Sequence, residues 1–193
     1  MTSDSTESGK DEDKDQAVSR DSNAEGEAAQ TPSEASAEGE RTKDAADLGK
    51  GLPLPKLGEG ELEQSVRCLA LNIYHEARSE PEKGQHAVAA VTLNRVASSS
   101  FPNSVCKVVK QGGKKLNKCQ FSWWCDRLSD EPRETQAWNR ALRLARKALS
   151  GELSDPTEGA LYYHATRVKP RWARVFERTG KIGQHLFYRP QGA

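Results

Sequence analysis

The chain has 193 residues, of which 35% are hydrophobic and 30% charged, and a net charge of +1. That sum hides two unlike parts: residues 1–60 hold 15 Asp/Glu and 7 Lys/Arg, and residues 61–193 hold 13 and 22. Every Cys, Trp, Tyr and Phe lies in the second part, which excludes a core in the first and makes disorder its expected state; with no apolar run near ~18 residues, a transmembrane helix is excluded too.

One folded domain is expected over 61–193, preceded by a disordered acidic tail and linker over 1–60. The start, MTSDSTESGKDEDKD, has no basic n-region and no apolar h-region, so a secretory signal is not expected there. Residues 51–60, GLPLPKLGEG, read as a Pro/Gly linker. Leu62, Val66, Leu69, Ala70, Ile73 and Ala77 then fall at helical spacing. Ser79 and Glu82 have capping-box spacing around Pro81, so one helix ends near Arg78 and a second starts. The second carries Ala87, Val88, Val91 and Val96 and stops at Ser98–Ser100. Val105, Val108 and Val109 predict a short third helix, ended by Gly112-Gly113.

A basic loop, KKLNK, and the segment CQFSWWCD follow. A long helix is expected next, capped by Ser129 or Asp130, with Pro132 in its first turn and Trp138, Ala141, Leu142, Ala145 and Leu149 as its apolar stripe. ALYYHA at 160–165 reads as a strand. RVFER, a turn at Thr179–Lys181, and IGQHLFY read as a hairpin. The fold class is α+β, a mainly helical domain with a small antiparallel sheet.

Ile73-Tyr74-His75-Glu76-Ala77-Arg78-Ser79-Glu80-Pro81 is the densest chemical constellation. A carboxyl beside an apolar helix face has its pKa raised by desolvation and can then serve as a general acid. The plain structural alternative is a helix-end Glu paired with Arg78 or a later Arg. A zinc-protease reading of His75-Glu76 needs a second His where Ser79 stands. Gln120-Phe121-Ser122-Trp123-Trp124 interleaves aromatics with hydrogen-bonding groups, which suits sugars. In an extended segment adjacent Trp side chains point opposite ways, so at least one is expected near solvent or ligand. The four Cys allow three disulfide pairings, four buried thiols or a metal site with His164 or His185; no C-x-x-C occurs.

Taken together, these residues resemble the spore cortex-lytic, SleB-type cell wall hydrolases. The match rests on Cys68-Leu-Ala-Leu-Asn-Ile-Tyr-His-Glu76-Ala-Arg-Ser-Glu80-Pro, Gly84-Gln85 through Asn94-Arg95-Val, Phe101-Pro102-Asn-Ser-Val-Cys106, Cys119-Gln-Phe-Ser-Trp, Tyr163-His164-Ala and Ile182-Gly183-Gln-His185-Leu-Phe187-Tyr188. It spans about residues 62–189. The resemblance implies a lysozyme-like fold and cleavage of peptidoglycan between N-acetylmuramic acid and N-acetylglucosamine. It implies Glu76 as catalytic acid, with Ser79 in place of the family's usual Gly; the expected disulfide pairs are Cys68–Cys106 and Cys119–Cys125.

The enzyme expected from this is a lytic transglycosylase. Glu80 is the only close second carboxylate for a muramidase-type hydrolase, and is supportive otherwise. Tyr74, Gln85, Gln120, Phe121, Ser122, Trp123, Tyr163, His164 and His185 are the expected substrate-binding residues. A catalytically silent glycan-binding module is the alternative class; nucleic-acid binding has only the positive charge behind it. The expected partner is the peptidoglycan glycan strand, with no cofactor, no metal and a monomeric chain. The expected place of action is the bacterial envelope, with a phage endolysin released by a holin as one origin that needs no signal.

Overall fold

The computed structural model describes residues 50–58, 60–116 and 118–191. The expectation of disorder before residue 50 lies outside the described residues.

Helix α1 (Glu61–Ala77) buries the stripe Val66, Leu69, Ala70, Ile73 and Ala77, each at most 2% exposed. Leu62, expected on that stripe, is exposed instead. No side-chain cap forms at Ser79; helix α2 (Glu82–Ala97) starts after Pro81 without a side-chain hydrogen bond. Pro81 is itself the N-cap, and its carbonyl accepts the Gly84 and Gln85 N–H groups at 2.8 and 3.1 Å, so the helix begins without the box. Helix α2 is buried along nearly its whole length, because it is covered on two sides. Ala89, Ala90 and Leu93 join the main core with α1, the short α3 (Val105–Val109) and α4 (Thr135–Leu149). Ala87 and Val91 face a second cluster with Ala160 and Phe187 of the sheet side.

Helix α4 begins at Thr135, several residues after the expected Ser129–Pro132 start. The reason lies far away in sequence. The Tyr74 hydroxyl accepts hydrogen bonds from the backbone N–H groups of Arg133 (3.1 Å) and Glu134 (3.2 Å). Asp130 is used otherwise: its carbonyl accepts His75 Nε2–H at 3.1 Å and its carboxylate pairs with Lys114 at 3.3 Å.

The sheet has order β1-β3-β2, all antiparallel, from β1 (Tyr162–Ala165), β2 (Glu177–Ile182) and β3 (His185–Arg189). Thr179–Lys181 is not a turn; it lies inside β2, with a bulge between Arg178 and Gly180. The chain reverses at Gly183-Gln184. Gly183 has φ 57°, and a side-chain carbon there would run into Glu80 Oε2. Of RVFER, expected as a strand, only Glu177 and Arg178 belong to β2; Arg174 ends a 3₁₀ turn (Arg171–Arg174) whose Trp172 packs edge-on to Tyr188.

Residues 50–58 are not a free linker. Gly51 bridges Ser154, the Leu52 N–H donates to Leu153 O at 3.2 Å, and the Asp155 N–H donates to Lys50 O at 2.9 Å. Leu52 is 6% exposed and belongs to the main core. Two disulfides tie the domain: Cys68–Cys106 joins α1 to α3, and Cys119–Cys125 brackets a 3₁₀ turn at Ser122–Trp124. Among the described residues, no helix is long and apolar enough to cross a membrane.

Candidate active site

Glu76 sits in the last turn of α1, half-buried. Its Oε2 accepts a hydrogen bond from the Tyr163 hydroxyl at 3.1 Å, across 87 residues of sequence. Burial raises the Glu76 pKa above the ordinary carboxylate value; the Tyr163 bond and the Arg95 cation oppose this and reduce the shift. The Tyr163 pKa is pushed well up, by burial first and by the Glu76 charge second, so the phenol stays a donor. The pair is a carboxyl tuned to hold a proton nearer neutrality, fixed in direction by a neutral hydroxyl.

The elements that hold Tyr163 over Glu76 can be traced residue by residue. Asn94 Nδ2 donates to Ala160 O (3.2 Å) and to Asp155 Oδ2 (2.9 Å). Arg95 Nε donates to Leu161 O at 2.7 Å. These bonds from α2 fix the chain just before β1 and so fix where Tyr163 arrives. Arg95 is 2% exposed, with its guanidinium within 5.8 Å of the ring centres of Phe101, Phe121 and Tyr162. Asn94 and Arg95 carry this positioning without figuring among the residues expected at the site. The available signal was a cation amid the apolar positions Val91, Leu93 and Val96, where a charge persists only if it is paired or hydrogen-bonded.

His185 and Glu80 adjoin this pair. The His185 ring stands edge-on to Tyr163 with centres 5.3 Å apart. Burial lowers the His185 pKa, while the Glu80 carboxylate works the other way. Its Nδ1 is 3.8 Å from Glu80 Oε1, beyond hydrogen-bond range. Glu80 Oε2 instead accepts the Gln184 N–H at 3.0 Å, which pins the β2–β3 turn to the α1–α2 turn. Gln85 is buried and donates from Nε2 to Glu80 O at 2.9 Å. The structure thus brings together Glu76, Tyr163, His185, Glu80 and Gln85.

The other expected binding residues stand elsewhere. Tyr74 is 4% exposed and props the start of α4. Phe121 and Trp123 are buried in the core; Trp123 stacks on His75 at 4.6 Å and donates Nε1–H to Asn72 Oδ1 at 3.2 Å. The 3₁₀ turn explains the inward Trp123, since strand alternation does not apply there; Trp124 is the half-exposed partner, with Lys114 Nζ 3.7 Å from its ring centre. His164 alternates with Tyr163 on β1 and so faces away from it, stacked on Tyr188 with Nε2 3.1 Å from that hydroxyl. Gln120 and Ser122 are exposed on the Cys119–Cys125 loop. Among the described residues no group of three or more His, Cys, Asp or Glu is arranged to hold a metal ion.

The Cell Wall Hydrolase family model matches residues 79–188, starting three residues after Glu76. A spore cortex-lytic enzyme of Bacillus cereus is 34% identical over 142 residues, covering 72% of this chain and 48% of that protein. One from Bacillus subtilis is 37% identical over 127 residues, covering 63% and 36%. The chain therefore spans half or less of the length of these curated relatives. The crystal structure of the catalytic domain of the Bacillus cereus SleB protein superposes with a TM-score of 0.52 at 32% identity, covering 70% of this chain and 95% of that one. The four-helix body with its three-stranded sheet is thus a SleB-type catalytic fold, and the chain belongs to the cell wall hydrolase family.

Proposed function

We propose that this enzyme cleaves the bond between N-acetylmuramic acid and N-acetylglucosamine in peptidoglycan as a lytic transglycosylase, with Glu76 as its catalytic residue. Glu76 gives its proton to the glycosidic oxygen as the bond from C1 breaks. The resulting carboxylate takes the proton of the muramic C6 hydroxyl, whose oxygen closes on C1 to give a 1,6-anhydro end. One group serves as acid and then base, so its proton affinity must lie between the two tasks. Tyr163 is the positioning residue, holding Oε2 through both steps.

The observation that carries this reading is the unequal state of the two carboxylates. Glu76 is raised in pKa and held by one hydroxyl. Glu80 is engaged by the Gln184 backbone and sits beside His185. A two-carboxylate hydrolase needs its second group open to water or to the sugar, and the Glu80 side chain is 8% exposed, with Oε2 on the Gln184 N–H. Its role in this reading is to position the hairpin turn. The place of action is the peptidoglycan layer of the envelope, and an endolysin role would appear as host lysis only on coexpression with a holin.

Mass spectrometry of digested peptidoglycan tests the reading. Anhydro ends that vanish with Glu76→Gln support it. Free reducing ends, lost equally with Glu76→Gln and Glu80→Gln, would establish the hydrolase instead. Wall that is coated but never cut would establish a binding module.

A further inference from the structure

A groove of 440 Å³ lies between the α1–α2 turn and the second half of α4, within the size range of ligand sites, ~300–1,000 Å³. Arg140, Arg143 and Lys147 line it from α4, with Leu144 buried among them. At about 100° per residue these three cations fall within one narrow stripe of the helix. Arg78, Glu80 and Glu82 line the facing side. Two of those charges are already committed, Arg78 to Glu134 at 3.0 Å and Glu80 to the Gln184 N–H. Arg140, Arg143, Lys147 and Glu82 form no ion pair among the described residues. The groove therefore offers three uncommitted cations and one uncommitted carboxylate, with Leu144 as its one apolar lining residue.

This groove meets the Glu76 site through one residue. Glu80 forms its wall and also holds the turn that leads into His185, whose ring abuts Tyr163, the partner of Glu76. Muramic acid, one of the two sugars at the bond assigned above to Glu76, carries a short peptide on its lactyl group. That stem bears several carboxylates and, on its third residue, a free amino group. Its charge pattern is the complement of the groove.

Resting on the transglycosylase reading, we propose that the groove is the subsite for the peptide stem. Arg140, Arg143 and Lys147 take its carboxylates, Glu82 takes the amino group of the third residue, and Leu144 packs under its aliphatic part. The enzyme then selects peptide-bearing glycan over bare glycan. These are specificity residues, outside the reacting group itself.

Two readouts on the full chain test this. The first is calorimetric titration with N-acetyl-L-Ala-γ-D-Glu-L-Lys. Wild type should bind it, Arg140→Gln/Arg143→Gln should weaken binding by about tenfold or more, and 0.5 M salt should weaken it similarly. The second is kcat/KM on glycan strands with and without their peptides, the latter made with an amidase. The double variant should lose about tenfold on peptide-bearing strands and nothing on bare strands, with an unchanged melting temperature. Equal losses on both strands, or wild-type titration with no binding, would overturn the subsite. Peptide binding by a protein that cuts neither strand would keep the subsite and remove the transglycosylase reading.

Discussion

A carboxyl held out of water works against the fold whenever it ionises, and Glu76 is such a group. Its folded pKa is raised, so its favourable contribution is full below the unfolded value and is lost as pH rises through the folded one. Glu76→Gln removes that penalty. The variant should melt higher than wild type at neutral pH, with the gain shrinking toward pH 4, and should lose ~10²-fold or more in wall cleavage. A variant that melts lower at pH 7 would show that the carboxylate is a net structural asset. Tyr163→Phe removes the bond that lowers the Glu76 pKa. The acid then keeps its proton to higher pH, so the alkaline limb of kcat/KM should move up, with about a tenfold lower rate. An unmoved limb would detach Tyr163 from the acid. At this scale apolar spacing put Glu76 beside a buried stripe, which points to a raised pKa but equally allows a helix-end ion pair, and its role as the acid came from the family resemblance. Spacing could not sort the aromatics. Tyr74, Trp123 and Tyr163 look alike as residue types, and only packing shows one propping α4, one stacked on His75 and one on the carboxyl.

The local periods that make helices and strands are short, so α1, α2, α3 and β1 were legible from apolar spacing. Features set at a distance were not. The start of α4 depends on a hydroxyl about 60 positions earlier, and the β2–β3 turn on the carboxylate of Glu80. The turn offers a direct check. Gly183→Ala puts a Cβ at positive φ and against Glu80, so it should destabilise by at least ~1 kcal/mol and lower activity by loosening His185 and Tyr163. Wild-type stability and activity would mean that the turn does not position the site. The crosslinks divide along similar lines. Cys68–Cys106 closes a loop of 38 residues and Cys119–Cys125 one of 6. On chain entropy these contribute about 4 and about 2 kcal/mol. Cys68→Ala/Cys106→Ala should therefore lower the melting temperature more than Cys119→Ala/Cys125→Ala. The reverse order would mean that the short loop, with Trp123 inside it, is the stronger brace.

Across the whole molecule, the question is where the folded domain begins. Composition drew the line at residue 60, because no aromatic precedes it. Among the described residues, packing begins earlier, at residues 50–52, through one buried leucine and two backbone hydrogen bonds. Composition averages over tens of residues and cannot see a single Leu52 among prolines and glycines. A fragment starting at Lys50 should melt with the full chain and cleave wall at its rate. One starting at Glu61 loses the Leu52 burial, roughly 1.5–3 kcal/mol, or roughly 3–12 °C for a domain of this size. The loss should also reach the site. Residues 50–52 pair with 153–155, and Asp155 is the group that Asn94 holds at 2.9 Å while it fixes the approach to β1. Freeing that edge should loosen the arrival of Tyr163 at Glu76, so the Glu61 fragment should lose several-fold in kcat with little change in KM. Differential scanning calorimetry and wall-clearing rates on the two fragments decide it. Equal melting temperatures would mean that the pairing at 50–52 adds nothing, and equal rates would uncouple that edge from the carboxyl.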